Sequence, residues 1–204
     1  MTVQSVINMA ASGELKNIAV KKDTEAIVDF INLGMIELYK RFPLKVKEHI
    51  IELQDGVEIY TMPADFMWIV AAYDEVPEDS DEVVVPVPIN EEDNPLSLNT
   101  VSWNEVQIPM SLNGAYISVI YAASPTEITV ADLDSQLQLP AQMLEALLHY
   151  IGYRAHNSVT GELNAEHTTH YTRFEASCAR IEASGMLTSD DMNTNKRFST
   201  RGFV

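Results

Sequence analysis

The sequence predicts an α+β protein: a helical bundle with a C-terminal αα-hairpin and an inserted antiparallel β-block, built as a sandwich or small barrel. Three observations lead there. Apolar residues recur at helical spacing near both ends of the chain, over residues 23–42 and 140–185. Between them, β-branched stretches punctuated by Gly, Pro and Asn run from Val46 to Ala123. Neither helical part is large enough to hold a core alone, so the two are expected to complete one another around the insertion.

Taken in order, VQSVINMAAS reads as a short helix from Val3 to Ala11, ended by Gly13. In DTEAIVDFINLGMIELYKRFP, Asp23 is a good N-cap, Lys40 and Arg41 lie in the last turn, and Pro43 stops the helix. Ile27, Phe30, Ile31, Met35, Leu38 and Phe42 form its expected buried stripe. Gly34 on the same face weakens the helix, which suggests close backbone approach by another element. These N-terminal helices fill residues 1–45.

The β domain spans 46–123 with five or six expected strands. In IIELQDGVEIYTMP, Asp55-Gly56 is a strong hairpin signal. FMWIVAAYDE and DEVVVPVPI read as strands on either side of the acidic loop EVPEDSDE, and Pro86 and Pro88 confine the second to a sheet edge. EEDNPLSLNT reads as loop, and VQIP and YISVIYAA as strands around Asn113-Gly114. Residues 124–139 are expected to be a linker. The hairpin occupies 140–185, with Gly161 in the break and Gly185 as C-cap. Residues 186–204 lack periodicity and read as an extended tail.

Composition narrows the class. With 204 residues, 46% hydrophobic and 21% charged, the chain is of ordinary globular make-up. No apolar run approaches bilayer-spanning length and no signal-peptide pattern opens the chain. The lone Cys178 rules out an intrachain disulfide and suits synthesis in a reducing compartment. The net charge is −17, and the acidity sits in the middle: Glu48 to Tyr153 holds 19 Asp and Glu and no Lys or Arg. Such a field repels nucleic acid, since phosphate binding depends on basic side chains.

The stretch LPAQMLEALLHYIGYRAH (139–156) has one thin polar stripe, Gln142, Glu145, His149, Gly152 and His156. Leu144, Leu147, Leu148 and Ile151 flank it on one side, and Met143, Ala146, Tyr150 and Tyr153 on the other. The next helix offers a single apolar stripe, Leu163, Tyr171, Phe174, Cys178 and Ile181, which can cover one flank. The other flank needs the helix from Asp23 to Arg41, the β-block or a second copy of the chain. On the last alternative, Met143, Ala146, Tyr150 and Tyr153 are candidate subunit-interface residues.

LPAQMLEALLHYIGYRAH followed by a long helix resembles the C-terminal hairpin of tailed-phage head-to-tail adaptor (connector) proteins of the tail tubular protein A type. FINLGMIELYKRFP resembles their early helix, and VEIYTMPADFMWI the strand and turn that follow it. The resemblance covers roughly half the chain in scattered pieces, in the family's usual order. It implies a structural virion protein at the head–tail junction, made in the host cytoplasm, with no enzymatic activity and no cofactor. Its partners would be the portal protein, a downstream tail or nozzle protein and its own copies in a dodecameric ring. DNA would pass through the channel without specific binding, a passage the acidic span would suit. In such adaptors a C-terminal tail often lies on the portal. Here Lys196, Arg197, Phe198, Arg201 and Phe203 would do so, a cationic–aromatic segment able to order on binding.

Other chemistries fit less well. Glu145–His149 and Glu166–His170 repeat an i, i+4 spacing on successive helices, and antiparallel packing could gather them into a metal site. Bundle di-metal sites need further carboxylates from two more helices, so solvated Glu–His pairs are the expected state and no metal site is assigned. Ser158, Ser177 and Cys178 lack a base in a catalytic motif. There is no Gly-rich phosphate loop, and EDSDE and NEEDN lack EF-hand spacing. An acidic DNA-mimic inhibitor would explain the charge, but not the hairpin, the β-block or the cationic tail.

Overall fold

A computed structural model describes residues 1–75, 85–110, 112, 116–160 and 165–185. They form two compact units. One takes in Met1–Phe42 and the described residues from Pro125 onward; the other runs from Pro43 to Ser124.

The first unit is helical. Helix α1 (Val3–Ser12) starts where the Thr2 hydroxyl accepts the Ser5 N–H, and closes with the Gly13 N–H on Met9. A 3-10 turn at Ala19–Lys22, which has no apolar periodicity to announce it, leads into α2 (Thr24–Arg41). The Asp23 carboxylate accepts the Ala26 N–H at 3.1 Å, as expected of an N-cap. Ile27, Ile31, Met35, Leu38 and Phe42 are buried as expected, together with Val28 and Tyr39, whereas Phe30 is only half-buried. After Pro140, a 3-10 turn at Ala141–Met143 runs into α3 (Leu144–Thr160). Helix α4 (Ala165–Ala183) ends at Gly185, whose φ of +66° is the left-handed conformation that glycine adopts most easily. Glu145 at the start of α3 meets Arg180 near the end of α4 at 3.1 Å, so the two helices run antiparallel.

Residues 124–139 are more than a tether. The Val3 and Gln4 N–H groups donate to Ser135 and Leu133 carbonyls at 3.1 and 2.9 Å. The Asn32 amide both donates to the Ile128 carbonyl (2.8 Å) and accepts its N–H (2.9 Å). The Tyr39 hydroxyl donates to the Gln138 carbonyl at 2.9 Å. A Thr129–Asp132 capping box organises a 3-10 turn in between. The segment is bound along α1 and α2, because its short polar turns satisfy their backbone and side-chain groups.

The second unit holds two antiparallel sheets. One consists of β1 (Val46–Glu52), β3 (Phe66–Glu75), β4 (Val85–Pro86) and β7 (Tyr116–Ala123), in the order β1-β7-β3-β4. The other consists of β2 (Ile59–Thr61), β5 (Asn99–Ser102) and β6 (Glu105–Gln107), in the order β2-β6-β5. Ile51, Ala72, Ile117, Val119 and Tyr121 from the first sheet share one core with Val106 from the second. The arrangement is sandwich-like and no barrel closes. Pro86 lies in edge strand β4, where its missing N–H breaks no inner ladder.

Two expected pairings are corrected. Asp55-Gly56 does turn the chain, with Gly56 at φ +77° and the Val57 N–H on the Gln54 carbonyl at 3.1 Å. The strands it joins do not pair, since β1 lies against β7 and β2 against β6. Asn113-Gly114 lies outside the described residues, and the strands on either side, β6 and β7, also belong to different sheets. Strand β5 takes up Asn99 and Thr100, expected as loop. Of the acidic loop EVPEDSDE, all but Glu75 lies outside the described residues.

Candidate functional site

Helix α3 is the centre of the helical unit, with α1, α2 and α4 all packed on it. The close approach signalled by Gly34 is real: a Cβ there would lie 2.6 Å from Leu147 Cδ1 and 3.1 Å from Tyr150 Cδ1. On the other side of Tyr150 the ring of Phe174 stands edge-on at 5.2 Å. Met143 and Ala146 are fully buried and Tyr150 nearly so. On the opposite flank Leu147 and Ile151 are fully buried and Leu144 and Leu148 half-buried, so both apolar flanks are largely covered within the chain's own helical unit. The argument for a subunit interface at Met143, Ala146 and Tyr150 falls away, because these side chains already have partners. Tyr153 is half-buried, its ring tilted by 50° against that of Tyr171 at 5.1 Å, and Tyr171 is 44% exposed rather than part of the core stripe. These rings line an open cleft with Glu37, Arg41 and Glu175.

The polar stripe of α3 faces the segment after α1 and one side of α4. Three of its members meet Glu14 or His170 there. The Glu14 carboxylate lies 3.4 Å from His149 Nδ1 and 2.9 Å from His170 Nδ1. His156 Nε2 is 3.3 Å from the Glu14 carbonyl oxygen, and its ring stacks on His170 at 4.8 Å. Gly152 clears the space: a Cβ would come within 2.8 Å of His170 Nδ1 and 3.2 Å of Glu14 Cβ. His149 Nε2 points to Glu145 at 3.6 Å, and Glu145 is in turn held by Arg180. That guanidinium draws the Glu145 pKa below the usual carboxylate value. Burial pushes His170 below the ordinary imidazole pKa, against the opposing pull of Glu14.

On α3 the expected Glu145–His149 pair forms, but its histidine is not solvated; the Glu166 side chain, expected to pair with His170, lies outside the described residues. The side chains of His149 and His170 are only 12% and 11% exposed. Their common partner is Glu14, which no sequence pattern singles out because it sits in a short aperiodic stretch. The neighbouring polar stripe was the available signal, since a polar line inside an apolar helix needs a polar partner.

The remaining candidates are simply placed. Cys178 is fully buried, and burial pushes its thiol up to about 11. Ser177 is buried and its Oγ accepts a bond from Arg180 at 3.0 Å. Lys196, Arg197, Phe198, Arg201 and Phe203 lie outside the described residues, as does Leu163. Among the described residues, no helix is long and apolar enough to cross a membrane.

The family model described as SU10 adaptor protein matches residues 1–197. The chain belongs to the SU10 adaptor protein family. This is a phage head-to-tail adaptor family, and the match takes in both units, the acidic β insertion included. Among curated proteins, nothing matches this adaptor's sequence.

Proposed function

We propose that this adaptor assembles as a dodecameric ring between portal and tail and continues the channel through which DNA leaves the capsid. The family match over residues 1–197 carries the reading. It assigns a structural role in the virion, at the head–tail junction, with portal and tail components as partners. The charge distribution supports the channel: a span from Glu48 to Tyr153 without Lys or Arg offers DNA no counter-charge to stick to. In this reading the cationic–aromatic segment Lys196–Phe203 anchors the chain on the portal, and the β unit addresses the tail. Of the four candidate interface side chains, the half-buried Tyr153, beside the exposed Tyr171, is the one that still offers surface to a neighbouring copy. No catalytic step enters the role.

The test is direct. The purified chain is mixed with portal rings of its own phage and imaged by electron microscopy. The expected product is a ring-on-ring complex that saturates at one adaptor per portal subunit. Portal rings that stay bare at saturating adaptor would overturn the proposal.

A further inference from the structure

We propose that Glu14, His149 and His170 bind a divalent transition-metal ion of the zinc class, which ties the segment after α1 to both helices of the C-terminal hairpin. One ligand atom from each of the three lies within 4.8 Å of the others. The carboxylate of Glu14 is already 2.9 Å from one imidazole nitrogen and 3.4 Å from the other. Tetrahedral zinc, with bonds of about 2.0–2.1 Å, places its ligand atoms roughly 3.3 Å apart. Two of the contacts bracket that spacing, and side-chain rotation closes the third.

The unmet valence points to the same occupant. Both Nδ1 atoms are buried and neither makes a hydrogen bond of acceptable geometry, although both sit against Glu14. Two buried nitrogens turned on one carboxylate are satisfied together by a cation placed among them. Two imidazoles and one carboxylate form a borderline donor set that suits zinc better than calcium or magnesium, which seek oxygen. With the ion on Nδ1, His149 keeps its proton on Nε2, the atom that faces Glu145 at 3.6 Å, and Arg180 holds Glu145 in turn. That relay is the outer support metal-bound histidines commonly have. His156 fixes the plane of His170 by stacking, so it acts as a positioning residue. Gly152 supplies the room. A cleft lined by Gly13, Glu14, His156 and His170 opens to solvent, so a water molecule can complete the coordination.

The site does not depend on portal docking. The full-length chain is stripped with EDTA and titrated with Zn²⁺ by calorimetry, with thermal unfolding followed in parallel. One-to-one binding and a raised Tm are expected. Glu14→Gln should weaken binding at least tenfold, and Glu145→Gln by about tenfold, as outer-sphere partners do. His49→Gln, in strand β1, should change nothing. Co²⁺ read on the unmodified chain guards against variants that misfold: intense visible bands of a four-coordinate ion are expected. The absence of those bands, sub-stoichiometric zinc, or binding that survives Glu14→Gln would each overturn the assignment.

Discussion

Gly34 lets α2 lie close against α3, and it sets a tight steric limit. Gly34→Ala removes a residue unfavourable to helices, worth up to about 1 kcal/mol in isolation. The added Cβ would nevertheless stand 2.6 Å from Leu147 Cδ1, and overpacking of this kind costs about 1–3 kcal/mol. A net loss is expected, measured as a lower denaturant midpoint. In the β unit, Asp65 accepts from Lys47 at 2.6 Å and from the Tyr121 hydroxyl at 3.0 Å. The Lys47 contact is the main reason its pKa falls below the usual value, while burial and Asp65 push the Tyr121 phenol up to about 12. A carboxylate depressed in the folded state stabilises fully above its unfolded pKa, about 3.9, and that contribution disappears as pH falls through the folded value. Asp65→Asn should flatten the dependence of β-unit stability on pH below about 4, followed by denaturant titration at successive pH values. Of these residues, the packing role of Gly34 could be read from its place on an apolar stripe. The role of Glu14 could not, because its partners come from elements distant in sequence.

At the scale of elements, local signals worked wherever the physics is local. Asp23, Gly13, Gly185 and Pro140 mark helix ends because caps and turns are settled within a few residues. Asp23→Ala should accordingly cost about 1 kcal/mol, recovered by Asp23→Asn, with thermal unfolding as the readout. Strand partnership is not local. Asp55-Gly56 turns the chain as its residues require, yet the strands it links enter different sheets, because core burial decides which strand each one joins. Ile51 and Val106, buried in the same cluster, reflect that choice. The apolar flanks of α3 posed a similar ambiguity. Composition indicated that both needed cover, and only the tertiary arrangement shows α1, α2 and α4 supplying it.

Over the whole molecule, the insertion begins and ends on neighbouring strands. Val46 pairs with Ala122, and the Ala123 N–H donates to the Lys45 carbonyl at 2.8 Å. Chain entering and leaving at one place can be exchanged for a short Gly/Ser connector with little loop-closure cost. A chain with residues 43–124 so replaced should keep its helical circular dichroism and melt cooperatively; loss of cooperativity would show that the helical unit depends on the insertion. Truncation after Gly185 should leave unfolding unchanged and weaken capture by portal rings, scored by co-sedimentation. Unchanged capture would remove the C-terminal segment from the docking scheme.

The burial of Cys178 has a practical corollary. As the sole thiol in the sequence, walled in on α4 and held protonated, it should stay dark to a chromogenic disulfide reagent while the hairpin is shut. The rate of colour formation then clocks the breathing of that hairpin, and slows or quickens with whatever docks upon it. The molecule carries its own stopwatch for assembly, with no label to be engineered.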